Sequence, residues 1–128
     1  METLEIESTE RTPGIKFDYG HHYFEINGEA YPENSDEFFR PIMEALQEYS
    51  DLGSSETITF VFKLIYFNSS SARVLMKLFE LLDKAAENRT VEVEWYYHEE
   101  DDTMEEFGEE FSEDMENSSF KLISYNDD

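Results

Sequence analysis

Residues 57–67, Thr-Ile-Thr-Phe-Val-Phe-Lys-Leu-Ile-Tyr-Phe, form a nearly continuous β-branched and aromatic run. Such a run predicts a strand buried on both faces and therefore central in its sheet. It stops at Asn68. Val74, Leu75, Leu78, Leu81, Leu82 and Ala85 then recur at helical spacing, which predicts a helix over about residues 70–87. Residues 90–97 alternate again, with Val91, Val93, Trp95 and Tyr97 on one face and Glu92, Glu94 and Tyr96 on the other. Strand, helix and strand in this order make a βαβ unit, with parallel strands and a right-handed crossover. Few other sequence features leave so little choice of fold class.

The flanks extend the same architecture. Residues 4–7 alternate apolar and acidic as a short edge strand does, and residues 15–19 and 23–27 predict a hairpin around Gly20-His21-His22. Tyr31-Pro32-Glu33-Asn34 reads as a turn into a first helix, with Asn34 and Glu37 at the spacing of a capping box. Phe38, Phe39, Ile42, Met43, Leu46 and Tyr49 give that helix one apolar face, and Pro41 within it predicts a kink or a late start. Met104, Phe107, Phe111 and Met115 mark a third helix over residues 102–116, and residues 120–124 suit a last edge strand. No repeat or linker divides the chain. Its 128 residues predict one α/β domain, a mixed sheet with an N-terminal hairpin, a βαβ unit and helices packed on it.

Charge and residue content then exclude several functions. A formal net charge of −23 opposes direct binding to nucleic acid or to an anionic membrane surface. The acidic N-terminus lacks the apolar core of a signal peptide and no apolar run reaches membrane-span length, so a cytoplasmic location is expected. The absence of cysteine fits that compartment. His21, His22 and His98 do not fall at metal-ligand spacing, and residues 98–102 lack the ligand alternation and turn glycine of an EF-hand. No metal, cofactor or small-molecule substrate is expected.

The junction Asn68-Ser69-Ser70-Ser71 is the main candidate site. It lies where a central strand ends and a helix begins, so the helix directs unpaired N–H groups and the positive end of its dipole there. A phosphate on one of these serines would bring about −1.5 to −2 charges and three acceptor oxygens to that spot. Arg73, one turn beyond Ser69, is placed to help hold it. The serines also suit plain helix capping, for which Ser and Asn are favoured. They do not suit a nucleophile: no glycines flank them as in a nucleophile elbow, and no triad is evident, so no enzyme is expected. Arg73, Lys77 and Lys84 share one flank of the helix, with Lys63 on the strand before it, while residues 99–114 are crowded with carboxylates. The acidic stretch supports an alternative reading, a constitutive acidic adaptor or nucleic-acid mimic that binds a basic protein through residues 101–116.

Several motifs taken together resemble a known family. Thr12-Pro13-x-Ile15, Gly28-x-x-Tyr31-Pro32-Glu33-Asn34-Ser35 and Tyr66-Phe67-Asn68-Ser69-Ser70-Ser71 are similar to the SiaC family of bacterial regulatory phosphoproteins. The likeness continues through Leu81-Leu82 and Trp95-x-Tyr97 to Glu109-Glu110-Phe111-x-Glu113-Asp114, nearly the whole chain. The resemblance implies a STAS-like partner switch. A cognate Ser/Thr kinase phosphorylates the residue after the junction Asn, a PP2C-type phosphatase resets it, and the unphosphorylated form binds and activates a diguanylate cyclase. Carried over, the acceptor is Ser69, with Ser70 as an alternate. Asn68, Ser70, Ser71 and Arg73 surround it, and Tyr31, Pro32, Glu33, Asn34 and Lys77 are candidate partner contacts. Asn68 and Ser71 stand where STAS antagonists carry Asp and Gly, so the pathway implied is not a sigma-factor one.

Overall fold

The computed structural model describes residues 2–127. Strands β1 (Leu4–Ile6), β2 (Gly14–Asp18) and β3 (Tyr23–Ala30) form an antiparallel meander. Helix α1 (Ser35–Asp51) leads to β4 (Ile58–Phe67), α2 (Ser69–Ala85) to β5 (Val91–His98), and α3 (Asp102–Glu113) to β6 (Ser119–Tyr125). From β3 onward every strand pairs in parallel with the next, and the six strands lie in the sheet in chain order. The expected hairpin, βαβ unit and final edge strand are all present.

Three crossovers that advance in one direction, each right-handed, put all the helices on one face of the sheet. Burial follows from that. Phe24 and Ile26 of β3, Phe60, Phe62 and Leu64 of β4, and Val91, Val93 and Trp95 of β5 are buried beneath the helices. On the reverse face Glu25, Asn27, Glu94 and Tyr96 are only half-buried and Lys63 is exposed. The expected burial of β4 on both faces is therefore wrong: Val61 is buried on the helix-free side, but the strand is covered by helices on one side only. Its apolar run reflects a wide aromatic core, not a second layer.

That core is a row of rings crossing the strands. Phe17 meets Phe24 at 5.0 Å, Phe24 stacks on Phe60 at 5.6 Å, and Phe62 joins Phe60 at 4.7 Å and Trp95 at 5.7 Å between ring centroids. Each such pair adds about 0.5–1.5 kcal/mol beyond the area it buries. At the N-terminal ends of β4 and β5, Arg89 closes the molecule, donating from Nε to the Glu56 carbonyl at 2.8 Å and from Nη2 to the Tyr49 hydroxyl at 2.8 Å.

One helix boundary follows the expected cap and one differs from expectation. The Asn34 side chain accepts the Glu37 N–H at 3.0 Å, and α1 starts directly after it at Ser35, so Pro41 does not delay the helix. At the other end of the chain α3 stops at Glu113, where Asp114 and Met115 donate their N–H groups to Phe111 and Ser112 in a closing turn.

Candidate functional site

Because β3 and β4 are parallel neighbours, the loops leaving their C-terminal ends emerge side by side. The Asn68 N–H donates to the Ala30 carbonyl at 3.1 Å, tying the two exits together. Asn68 then caps α2: its Oδ1 accepts the Ser71 N–H at 2.9 Å and the Ser70 hydroxyl at 3.1 Å. The Ser35 hydroxyl, at the first position of α1, lies 2.7 Å from Ser70 Oγ and 3.0 Å from Ser71 Oγ. Ser35 and Ser71 are 3% and 0% exposed. The N-terminal ends of α1 and α2 are thus stitched together by serine hydroxyls, and two helix dipoles direct their positive ends at one corner.

The four junction residues divide sharply in availability. Asn68 is spent on capping, Ser71 is sealed in the core, and Ser70 is half-buried with its hydroxyl shared between Asn68 and Ser35. Ser69 is exposed. As the first residue of α2, it keeps an N–H that the helix itself does not use, since only the Ser71 N–H is taken by the cap.

A β-bulge shapes the approach to this corner. The β3–β4 register jumps at Gly28/Glu29, from Gly28 opposite Leu64 to Glu29 opposite Tyr66. Gly28 has a φ of +89°, a conformation that residues with a side chain rarely adopt. The extra residue, Ile65, turns Phe67 back into the core and leaves Ile65 and Tyr66 pointing outward, 60% and 50% exposed. Tyr31 packs edge-on against Tyr66, with centroids 5.7 Å apart. An apolar ridge therefore stands at the end of β4, on the strand exit that leads into Ser69.

The remaining candidate residues fall into groups. Tyr31 and Asn34 belong to the same corner, the latter as the cap of α1, whereas Pro32 is buried and Glu33 pairs with Arg11 at 3.5 Å. Arg73 is exposed one turn along α2 from Ser69, and Lys77 lines a shallow depression with Gln47 and Asp51 of α1. Lys63 does not join them. It lies on the helix-free face, 3.8 Å from Glu25 and over the ring of Tyr96, so the expected cluster of positive charge is split across the sheet. The strand order does not reverse, so the corner is not a nucleotide-binding crevice between diverging crossovers. Among the described residues no group of three or more His, Asp or Glu could hold a metal ion. Sequence reading missed Ser35 and the bulge. Ser35 did carry a signal, a serine directly after a capping Asn, but nothing local says that it meets another helix.

The comparison that decides the family is a match of residues 6–125 to the model of the SiaC family regulatory phosphoproteins. The chain belongs to the SiaC family. It is 31% identical over 115 residues to an uncharacterized protein of Pseudomonas aeruginosa strain UCBPP-PA14, covering 89% of this chain and 90% of that one. Its fold matches SiaC of Pseudomonas aeruginosa with a TM-score of 0.85 at 30% identity, over 98% of this chain and 99% of the other. It also matches a chain in the crystal structure of the diguanylate cyclase SiaD in complex with its activator SiaC, with a TM-score of 0.84 at 30% identity, covering 96% and 98%. The SiaC-family α/β fold therefore extends over the whole domain. No helix of the described residues is long and apolar enough to cross a membrane.

Proposed function

We propose that this SiaC-family protein is a phosphorylation-gated activator with Ser69 as its reversible phosphoacceptor. The unphosphorylated form binds and activates a diguanylate cyclase, a cognate Ser/Thr kinase removes it from that role, and a PP2C-type phosphatase restores it. The protein works in the cytoplasm and catalyses nothing itself. The observation that carries this reading is the division among the serines: Ser69 is exposed, while the hydroxyls of Ser70 and Ser71 are committed to Ser35.

The chemistry of the corner supports a two-state device. A phosphate on Ser69 meets the free N–H groups and dipole of α2, with Arg73 one turn away, and these favour the dianion. Asp36 and Glu37, exposed in the first turn of α1 next door, oppose it. A partner seated over the Tyr31–Tyr66 ridge would lose contact on phosphorylation, because a buried dianion without enough basic groups is costly. Phosphopeptide mapping of protein from its native cell tests the assignment. One phosphate is expected on the peptide carrying Ser69, lost in Ser69→Ala and retained in Ser70→Ala. A phosphate that follows Ser70 instead would overturn it.

A further inference from the structure

A groove of about 370 Å³ runs between α2 and α3, well down the helix from Ser69. Its floor is apolar and is made by Met76, Phe79, Phe111 and Met115. Phe79 and Phe111 belong to the core, whereas Met76 is 48% exposed. Its rim is acidic, with Glu80 and Glu87 on the α2 side and Asp114 and Glu116 on the other; Lys84 is the single basic lining residue. Met76, Glu80 and Asp83 lie along one stripe of α2, about two turns and about 10 Å long, and Glu87 follows in the turn just beyond the end of the helix.

The groove is held open by a built contact. The Asp83 carboxylate accepts the N–H groups of Glu116, Asn117 and Ser118 at 3.1, 2.8 and 3.0 Å, which fastens the α3–β6 loop to α2. That carboxylate is occupied, so the binding charge of the rim resides in the four exposed acids.

We infer that this groove docks an amphipathic helix of a partner protein, with aliphatic side chains at i, i+3/i+4 and i+7 on the floor and Lys or Arg against the rim. A groove with an apolar floor is the complement of the apolar stripe of a helix. Unbranched Met side chains adapt to the shape of such an occupant. Charge selects the sign: four carboxylates on the rim of a chain of net charge −23 attract a basic helix and reject an acidic one. Charge also disfavours a second copy of this chain, because a two-fold contact would set the same acidic rim against itself. The inference does not depend on Ser69, which is not among the residues that line the groove.

The test is fluorescence anisotropy with two labelled synthetic peptides of about 16 residues, long enough to span the stripe. Both contain only Leu and Lys in the same numbers; one has Leu at helical spacing and the other is scrambled. The patterned peptide is expected to bind at least about tenfold more tightly, a difference of about 1.4 kcal/mol. Met76→Asp should bring it down to the scrambled level even though the variant adds an attractive charge. Leu52→Asp, at a still more exposed apolar residue that caps the C-terminal end of α1, should change nothing. In the wild type, the methyl resonances of Met76 and Met115 should shift on adding the patterned peptide, which tests the site without a substitution. Equal binding of the two peptides, undiminished binding by Met76→Asp, or unmoved Met76 and Met115 resonances would each overturn the inference.

Discussion

Gly108 occupies the middle of α3, where glycine costs a helix about 1 kcal/mol relative to alanine. It is there because Trp95 lies against the helix. A Cβ at position 108 would meet Trp95 Cδ1 at 2.5 Å and Nε1 at 2.8 Å, and the indole is held by an Nε1–H bond to the Met104 carbonyl at 3.0 Å. Gly108→Ala is therefore expected to lower stability by about 1–3 kcal/mol in urea unfolding, overriding the gain in helix propensity. A more stable variant would show that the indole can move aside. Ser35→Ala should cost about 1–3 kcal/mol, because it strips a buried partner from Ser71. At this scale the residues of the junction alone do not rank its serines, and in the sequence Ser69 is singled out only by the family resemblance. Ser69, Ser70 and Ser71 are equivalent as letters, and a hydroxyl 35 residues away makes the difference.

Elements were legible where their periodicity was strong and less so where one residue interrupts it. The central strand, both flanking helices of the βαβ unit and the N-terminal hairpin all follow from apolar spacing. Pro41 predicts a kink or a late start for α1; the late start is absent, because the Asn34 cap starts the helix at Ser35 and the proline is carried inside it. A proline there still removes one helical hydrogen bond, at about 3 kcal/mol relative to alanine in a helix interior. Pro41→Ala should therefore raise stability by about 1–3 kcal/mol by denaturant titration, with no change in fold. The bulge at Ile65 was invisible, because an inserted residue in an apolar run leaves the composition unchanged. Asp83 offers a test by pH. Burial raises its carboxyl, but the backbone N–H groups of Asn117, Glu116 and Ser118 lower it further, so it lies below its ordinary value. Its stabilising effect is then fully present above the ordinary carboxylate value and is lost as pH falls through the depressed folded value. Wild type should exceed Asp83→Asn by about 1 kcal/mol at neutral pH, with the gap closing at strongly acidic pH. A gap that persists unchanged into strong acid would refute the role of the charge.

For the whole molecule, one covered face of the sheet and a net charge of −23 set the behaviour. Like charges spread over a small domain repel one another, and salt screens them with a Debye length of about 10 Å at 0.1 M. Raising NaCl from about 0.05 M to about 0.5 M should therefore raise the midpoint of thermal unfolding by about 2–8 °C. A lower midpoint would mean that attractive ion pairs dominate instead. The parallel exits of β3 and β4 gather the candidate features: Ser69, Tyr31 and Tyr66 lie at one end of the sheet, where the proposed modification and contact surface would act on each other. The most direct test is capture of partners from native-cell lysate by immobilised Ser69→Ala and Ser69→Asp proteins, followed by assay of the bound material for cyclic di-GMP synthesis from GTP. The Ser69→Ala protein should retain cyclase activity and the Ser69→Asp protein should retain little or none, whereas equal activity on both would contradict a gate at Ser69.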